Sequence, residues 1–574
     1  MEGSGQLRSD ATLSPIGRDR IVHALPLVFG GAVIAILVAK LLLAWRININ
    51  WDEFYYLSNV HALARGELDL LLQTAYTQLF EWVMTMGPNE ADQVVSARLP
   101  MVLLLVLSAW LLYLLARCWS SPTAATFAVL AFIGSWPVLN HGASFRADSI
   151  LLPLSLGALL LAVRPGNRRD WSDVAVGLCL GAAFALTIKA ALLLPVLLAM
   201  VMLSDDSAVC PSIGRSTRRF ATILSIAAAV FALLIGIHSM QVIAGAESAG
   251  SVASRSVMAT FVDVPLLPRG NYFRTLITED LVFWLAVPAG MLVALMSRNY
   301  RAGAAVLALL PILVYRNAYP YYYPLMMAPA AVLVALAADR VLGTTPARRH
   351  VGPRVAALAV LGLLVMHDSW DGLMTLRFDE QHKQRDVVAA VHQVFPEPVP
   401  YIDHGGMIAS FPKANFFMSS WGVEHYLRTG RDFMPDALKK YRPPLLLVNH
   451  GVLYPRSLSF RQLREADRKL LASSYVEYWG PIRVAGVETV IPARQTIRVR
   501  LPFPGRYRIE SRHILVVDGR PLRPGDTLEV RDSTELALES ATMTDAETKV
   551  RLVWAAAQEP PTELPPKLPL YAPL

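Results

Sequence analysis

Long apolar segments without charged residues recur through the first two-thirds of the chain. Residues 101–116 and 221–237, for example, contain no Asp, Glu, Lys or Arg. A helix of about 20 apolar residues crosses the hydrocarbon core of a bilayer, which is about 30 Å thick. The pattern therefore predicts a polytopic α-helical membrane protein. About eleven spans are predicted, near residues 21–44, 99–117, 122–140, 149–163, 173–188, 190–204, 219–243, 280–297, 302–316, 320–339 and 354–367.

The arginines fall in every second loop between these segments, which predicts the orientation of the chain. Because basic residues stay on the cytoplasmic side, we expect the N-terminus in the cytoplasm and the region after residue 368 outside a bacterial plasma membrane. The first apolar segment lacks a small-residue cleavage site and is expected to remain as an anchor. The arginines concerned are Arg8, Arg18, Arg20, Arg117, Arg164, Arg168, Arg169, Arg215, Arg218, Arg219, Arg298, Arg301, Arg340, Arg348, Arg349 and Arg354.

The composition agrees with a membrane protein. Of 574 residues, 54% are hydrophobic and only 17% are charged. The formal charge of +8 comes from 53 basic and 45 acidic residues. Since the basic residues flank apolar segments, this charge gives no reason to expect a nucleic-acid partner. No cysteine follows Cys210, so the exported region is expected to lack disulfides.

The region after the last span predicts a second kind of structure. Helical segments over 383–395 and 459–472 alternate with short apolar strands, which is typical of a small α/β domain. Further on, short strands separated by turns such as Asp518-Gly519 indicate a β-sandwich. The predicted division begins with a cytoplasmic tail (1–20) and a transmembrane domain (21–370). An α/β domain (380–480), a β-sandwich (481–556) and a Pro-rich extended or disordered tail (557–574) follow.

The outward loop between the first two spans, 45–98, begins with an acidic pair. Asp52 and Glu53 follow the first span closely and are flanked by aromatic residues. Apolar residues recur at helical spacing, first from Phe54 and again from Tyr76, which predicts two amphipathic helices on the membrane surface. Acidic residues are also common at the start of any helix, and the pair taken alone favours that simpler interpretation.

Three further clusters place unusual charges on the same predicted side of the membrane. One is a short connection between spans with a histidine, an arginine and an aspartate. Another is a lysine in an apolar stretch, which costs several kcal/mol unless it reaches an anion or the interface. The third is an arginine before a Tyr-Pro-rich turn, although aromatic residues also form interface belts. The candidate substrate-binding residues are His141, Arg146, Asp148, Lys189, Arg316, Tyr322 and Tyr323.

An outward site with carboxylates, cations and tyrosines suits sugar transfer from a phosphate-linked lipid. A carboxylate can take the proton of an attacking hydroxyl, and cations can hold the departing phosphate. We interpret Asp52 as the general base. Glu53 projects from another side of the helix, so it is expected to orient the helix, bind the acceptor or assist a metal. Lys189, Arg146 and Arg316 are interpreted as the phosphate site.

Two alternatives remain within this interpretation. Asp148 is a second candidate base, although the neighbouring Arg146 stabilises its negative charge and favours a structural role. The long outward loop also holds Arg255, Arg269 and Arg274, which could add to the anion site. Contact with lipid headgroups is the simpler interpretation of these three arginines.

The order of these features resembles the membrane-embedded glycosyltransferases of the C-type fold. The resemblance is to the dolichyl-phosphate-mannose–protein mannosyltransferase-like group, which includes the bacterial lipid A aminoarabinose and galacturonic acid transferases. It covers roughly residues 20–370 and rests on an acidic pair, an Arg-x-Asp motif, a Gly-rich span ending in Thr-Lys and an Arg before a Tyr-Pro-rich stretch. These motifs match Asp52-Glu53, Arg146-Ala147-Asp148, Gly177 to Lys189 with Ile188 separating the last pair, and Arg316 to Pro324.

The resemblance implies a polyprenyl- or dolichyl-phosphate sugar donor, an envelope acceptor and, usually, inversion at the anomeric carbon. It leaves the sugar, the acceptor and any need for a divalent cation open. The region after residue 370 resembles no member of the group, and acceptor docking is one role for it.

Two other classes of protein compete with a transferase. A transporter carries ionisable groups at the midplane and often has repeated halves, whereas these charges lie at one interface and no repeat is evident. A non-catalytic scaffold for the C-terminal region would not explain Asp52, Lys189 or Arg316. The chain has no Gly-x-x-x-x-Gly-Lys-Ser/Thr loop, which argues against phosphoryl transfer from nucleotides.

Overall fold

The computed structural model describes residues 15–164, 169–203, 213–243, 265–343, 351–376, 381–531, 535–540 and 547–571. The chain divides into two compact units. The first, here called the membrane unit, consists of Met1–Trp45, Asp69–Tyr76 and Arg98–Phe378. The second, called the C-terminal unit, consists of Arg46–Leu68, Thr77–Ala97 and Asp379–Leu574. The acidic outward loop thus groups mainly with the region after the last span.

Every predicted span coincides with helical structure. Five helices, or six if a pair bent by 94° counts as one span, are long and apolar enough to cross a membrane in the described part of the chain. The number of spans therefore stays a prediction. The helices in this part of the chain are Pro15–Leu43, Glu90–Ala116, Pro122–Ile133, Trp136–His141, Ala147–Val163, Arg169–Leu186, Leu194–Met202, Ile213–Ser239, Gly270–Glu279, Leu281–Met296, Tyr300–Gly303, Leu310–Val314, Tyr323–Leu342 and Val351–Leu376, with 3₁₀ turns at Ile188–Leu193, Ala304–Leu309 and Pro320–Tyr322.

Small residues let these helices approach closely. A Cβ on Gly290 would lie 1.8 Å from the carbonyl oxygen of Leu333, so only glycine allows helix Leu281–Met296 to reach helix Tyr323–Leu342. In the same way a Cβ on Gly181 would lie 2.6 Å from the carbonyl oxygen of Ala227. Packing through small residues is typical of helices in a bilayer, where apolar burial alone does not drive association.

The outer surface of the membrane unit is apolar. Leu27, Leu103 and Leu285 are 77%, 70% and 63% exposed. Large exposed apolar surfaces are rare on water-soluble monomers, and here they lie on helices of membrane-spanning composition. The chain is therefore an integral membrane protein.

The C-terminal unit contains two sheets. The strands are β1 Tyr401–Ile402, β2 Leu445–Leu447, β3 Tyr475–Trp479, β4 Ile482–Ile491, β5 Ile497–Arg500, β6 Gly505–Ser511, β7 Leu515–Val517, β8 Arg520–Leu522, β9 Thr527–Val530, β10 Glu535–Ser540 and β11 Thr548–Trp554. One sheet has the order β1-β2-β4-β11-β6-β9 with β3 also on β4, and the other has the order β5-β10-β7-β8. Strand β4 pairs with both β2 and β11, so the first sheet continues across the boundary predicted at residue 480.

Helices cover the first part of this sheet. They are Gln381–Val394, Ser420–Thr429, Met434–Lys440 and Glu465–Ser474, with 3₁₀ turns at Gly451–Leu453 and Leu458–Gln462. One buried core joins them to the early strands through residues such as Ile402, Leu446 and Tyr475. A second core lies between the two sheets around Tyr507, Leu538 and Leu552.

The Pro-rich tail is extended and held in place as far as residue 571. The Tyr478 hydroxyl donates to the carbonyl of Gln558 at 2.8 Å, and Trp479 Nε1 donates to the carbonyl of Glu563 at 3.0 Å. Tyr571 is buried and its hydroxyl accepts from Asn449 Nδ2 at 3.2 Å. The tail therefore forms part of the C-terminal unit.

Candidate functional site

The acidic pair lies at the start of the helix Trp51–Ala64. The Asn50 side chain accepts a hydrogen bond from the Asp52 N–H at 2.9 Å, and the Glu53 carboxylate accepts from the Asn50 N–H at 3.0 Å. This reciprocal capping box fixes where the helix begins. Glu53 thus has a structural task at the helix start, in line with the orienting role considered for it, while Asp52 is the neighbouring carboxylate in the same first turn.

The prediction of a second amphipathic helix in this loop is wrong. Residues from Tyr76 to Met84 form two 3₁₀ turns, Ala75–Leu79 and Glu81–Thr85, instead of one amphipathic α-helix. Phe80 interrupts them with φ −126° and ψ 10°, outside the helical region, and no side chain caps the second turn. Apolar spacing alone does not distinguish short 3₁₀ turns from an α-helix, since both place residues three apart on one side.

A buried charge cluster forms in the membrane unit from residues far apart in sequence. Lys189 Nζ lies 2.9 Å and 3.0 Å from the two carboxylate oxygens of Asp148. Arg146 Nε donates to the same carboxylate at 3.3 Å. All three side chains are at most 8% exposed. Two cations therefore contact one carboxylate at a buried site.

Local structure explains how this cluster is placed. Asp148 lies in the first turn of the helix Ala147–Val163, whose N-terminal end stabilises a negative charge. Lys189 lies in the 3₁₀ turn Ile188–Leu193, which interrupts the helical path after Leu186. The Thr187 hydroxyl accepts from the Lys189 N–H at 3.3 Å and so caps this turn.

The Tyr-Pro-rich turn brings aromatic rings onto the cations. The Arg146 guanidinium lies 3.8 Å from the ring centre of Tyr321, and Lys189 Nζ lies 4.2 Å from that of Tyr322. The two rings meet edge to face at 4.4 Å. The negative faces of the rings attract the cations and keep them in place without neutralising their charge. The His141 ring is an outer neighbour, 6.1 Å from Tyr321.

A third cation, Arg269, borders the same group of tyrosines. Arg269 Nη2 donates to the Tyr319 hydroxyl at 2.6 Å, and Arg269 Nε donates to the carbonyl of Arg316 at 3.1 Å. Tyr319 in turn stacks on Tyr321. Arg269 therefore has protein partners in addition to any headgroup. Arg274 is exposed on helix Gly270–Glu279, and Arg255 lies outside the described residues.

Sequence reasoning named Tyr322 and Tyr323 and passed over Tyr321. Tyr323 is fully buried in the helix core, and in the described part of the chain its hydroxyl has no hydrogen-bond partner. Tyr321 is instead the ring that meets Arg146. The sequence alone does not show which of the three adjacent tyrosines contacts a cation, because the ring orientations depend on the 3₁₀ turn that precedes the helix.

Trp51, the residue before Asp52, lies in an aromatic cluster of the C-terminal unit. Its ring meets His404 at 5.4 Å, His450 at 5.8 Å and Tyr571 at 5.7 Å, each edge to face. The two imidazoles stack on one another at 4.0 Å. His404 is 2% exposed, and its Nδ1 has no hydrogen-bond partner among the described residues. We call these four residues the Trp51 cluster.

The Trp51 cluster makes the C-terminal unit sensitive to acid. Burial, and then the nearby His450 and Lys413, hold the pKa of His404 well below its usual value of 6.5. His404 therefore binds a proton near pH 6.5 in the unfolded chain but stays neutral at that pH in the folded chain. The contribution of His404 to the free energy of unfolding should be constant above that pH and fall as the pH drops below it, by up to about 1.4 kcal/mol per pH unit.

Thermal unfolding of the full-length chain between pH 7.5 and 5.5 measures this effect. His404→Gln removes the proton-binding group and should reduce the loss of melting temperature on acidification. His382→Gln, which changes an exposed histidine of the same unit, should lose as much melting temperature on acidification as the wild type. An equal loss in the wild type and His404→Gln would assign the acid sensitivity to other groups.

No group of three or more His, Cys, Asp or Glu side chains converges in a way that could hold a metal ion among the described residues. The metal requirement stays open.

Comparisons with known proteins agree with this architecture. Residues 79–235 match the family model of dolichyl-phosphate-mannose-protein mannosyltransferase. The predicted resemblance is confirmed. The matched segment contains Arg146, Asp148 and Lys189. A comparison with curated proteins finds no match for the chain.

Solved structures share the fold at low sequence identity. ArnT from Cupriavidus metallidurans bound to undecaprenyl phosphate is 15% identical over 70% of this chain and 88% of its own, with a TM-score of 0.51. The same protein in the apo state is 15% identical over 80% and 97%, with a TM-score of 0.50. The archaeal oligosaccharyltransferase AglB from Archaeoglobus fulgidus, in complex with an inhibitory peptide and a dolichol-phosphate, is 13% identical over 78% and 72%, with a TM-score of 0.50. The chain thus has the C-type fold of membrane glycosyltransferases.

Proposed function

We propose that this chain transfers a sugar from a polyprenyl-phosphate carrier to an envelope acceptor on the outer face of the membrane. The acceptor is a lipid, a glycan or a protein. The observation that carries the proposal is the pair of buried cations, Lys189 and Arg146, that meet at the carboxylate of Asp148 and lie against two tyrosine rings. Buried cations supply the positive charge that holds an anionic group of a donor.

The lipid phosphate is the anion that fits this cluster best. In the donor the phosphate is a diester, and it gains negative charge as its bond to the anomeric carbon breaks. Cations placed at the departing phosphate stabilise the transition state more than the ground state, which is the requirement for catalysis. Arg316 is the third cation proposed for this site, and its main-chain carbonyl accepts from Arg269 Nε. The lipid phosphates bound by ArnT and AglB motivate the same class of donor here.

Asp52 is the general base in this proposal. As the acceptor hydroxyl attacks the anomeric carbon, its proton moves to the Asp52 carboxylate, a new carbon–oxygen bond forms, and the bond to the phosphate breaks. The products are the glycosylated acceptor and free polyprenyl phosphate. Glu53, which accepts from the Asn50 N–H in the capping box, keeps the helix-orienting role.

The release of polyprenyl phosphate tests the proposed function whichever sugar the donor carries. Purified full-length protein is incubated with polyprenyl-phosphate sugars extracted from membranes and with an envelope fraction as acceptor. Mass spectrometry should detect free polyprenyl phosphate and a glycosylated product together. Release without a glycosylated product, or no release, would contradict transfer to an envelope acceptor.

The proposed orientation makes a separate prediction. The alternation of arginines predicts that the N-terminus lies in the cytoplasm and the C-terminal unit outside. A reporter that is active only outside the cytoplasm should be active when fused after Thr375, and a cytoplasmic reporter should be silent there. The opposite pattern would place the acidic helix in the cytoplasm and overturn the proposed side of the reaction.

A further inference from the structure

The segment that leads into the acidic helix, residues 48–51, is contacted by Gln384 and by the last described residues of the tail. We infer that Gln384, Leu570 and Tyr571 form a positioning element for Asp52, a role that no sequence motif suggested. This inference rests on the proposed function of Asp52 as general base. All contacts that carry it lie within the C-terminal unit.

Gln384 holds the backbone just before the helix. Its Oε1 accepts from the Ile49 N–H at 2.8 Å, and its Nε2 donates to the Ile49 carbonyl at 2.7 Å and to Asn48 Oδ1 at 3.1 Å. The side chain is fully buried, so these bonds do not compete with bulk water. One amide thus pairs with both main-chain groups of a residue, as a neighbouring strand would.

The end of the chain holds the same segment from another direction. Asn48 Nδ2 donates to the carbonyl of Leu570 at 3.1 Å, and Trp51 packs edge to face on Tyr571. The extended tail therefore contacts the residues on either side of Ile49 and Asn50. The tail therefore helps to hold the residues that precede Asp52, in addition to packing within the C-terminal unit.

Glycines allow the His404 loop to lie directly against the helix. A Cβ on Gly405 would lie 3.0 Å from Cβ of Trp51, and one on Gly406 would lie 3.0 Å from the Ser58 hydroxyl. Gly406 also has φ +79°, a conformation that other residues rarely adopt. Asp403 fixes this turn by accepting from the N–H groups of Gly406 and Met407 at 2.8 Å each.

These contacts bracket the capping box. Ile49 is fixed by Gln384, Trp51 is fixed by its aromatic neighbours, and Asn50 between them starts the helix. Asp52 directly follows Trp51, so the position of its main chain depends on these contacts. A displacement of about 1 Å at a reacting group can lower a rate by about 100-fold. Gln384 acts on Asp52 through this segment and is a positioning residue.

The variant Gln384→Ala tests the inference in the full-length protein. Hydrogen exchange of the amides of residues 49–58 should be faster than in the wild type, while exchange in helix Tyr323–Leu342 should be unchanged. Release of polyprenyl phosphate should fall by about 10- to 100-fold. Binding of undecaprenyl phosphate, used as the probe, should stay within about twofold, because the proposed phosphate residues lie in the membrane unit.

Gln393→Ala is the matched control. Gln393 lies on the same helix, is exposed, and donates to the carbonyl of Glu559 instead of the acidic segment. It should leave the exchange of residues 49–58 and the release of polyprenyl phosphate at wild-type values. If Gln384→Ala lowers the yield of folded protein, Asn48→Ala removes a partner of the same amide and should give the same direction of change.

The outcomes separate this inference from the proposed function. Wild-type exchange at residues 49–58 in Gln384→Ala, or faster exchange with unchanged release, would overturn the positioning role. Equal losses of release and of undecaprenyl phosphate binding would show general destabilisation and would also overturn it. If the wild type itself releases no polyprenyl phosphate, the proposed function fails, whereas the exchange measurement still decides whether Gln384 holds the segment.

Discussion

Asp52→Asn should lower the rate of sugar transfer by about two to four orders of magnitude, the usual effect of losing a general base. The substitution keeps the shape of the side chain and removes its ability to accept a proton. The capping box should persist, because it uses the Asn50 side chain, the Asp52 N–H and the Glu53 carboxylate. We therefore expect normal folding and normal binding of undecaprenyl phosphate. Release of polyprenyl phosphate per folded molecule is the measurement.

Asp69→Asn is the control for removing an acid from the same loop, since Asp69 is exposed. It should transfer sugar at the wild-type rate. Asp148→Asn should reduce binding or stability more than the rate at saturating donor, because Asp148 is committed to Lys189 and Arg146. If Asp148→Asn abolishes transfer while Asp52→Asn does not, the assigned roles are reversed.

Lys189→Gln should weaken the binding of undecaprenyl phosphate by roughly 10- to 100-fold, the loss of about 1.5–3 kcal/mol from one hydrogen bond to a charged group. The substitution also leaves Asp148 with Arg146 as its remaining ion-pair partner among the described residues. A fall in stability is therefore expected as well. Lys439→Gln, an exposed site in the C-terminal unit, controls for the change in net charge.

A double variant tests these two effects of Lys189. In Lys189→Gln with Asp148→Asn, Arg146 keeps its positive charge but loses the carboxylate that it contacts, so thermal stability should be no higher than in Lys189→Gln alone. Binding of undecaprenyl phosphate should stay weak, because the cation is still missing. Recovery of both quantities would mean that Lys189 only neutralises Asp148 and would remove it from the phosphate site.

The apolar pattern predicted the membrane helices well, because about 20 apolar residues in sequence have few alternatives to a helix in a bilayer. It also singled out Lys189 as a costly charge, and Arg146 and Asp148 as charges near the membrane boundary. It did not predict that Lys189 would contact Asp148, which lies 41 residues earlier in the chain. That contact depends on how the helices pack and on the 3₁₀ turn after Thr187, which sequence spacing does not report.

The C-terminal unit was harder to predict. The helices expected over 383–395 and 459–472 coincide in large part with Gln381–Val394 and Glu465–Ser474. The sheet was less evident, because strand β4 contains Gly486, which weakens the strand pattern. The structure explains this glycine, since a Cβ there would lie 2.1 Å from the carbonyl oxygen of Leu552 on β11. The partners of the acidic helix come from more than 300 residues away and leave no local signal.

The most direct test of sugar transfer compares envelope glycolipids and glycans by mass spectrometry from cells with the wild-type chain, with Asp52→Asn and without the chain. The proposed function predicts at least one product that carries an additional sugar residue in wild-type cells only. The two other strains should lack it and should accumulate the sugar-loaded polyprenyl phosphate. Identical envelope profiles in all three strains, with no change in the lipid carrier, would contradict the proposed function.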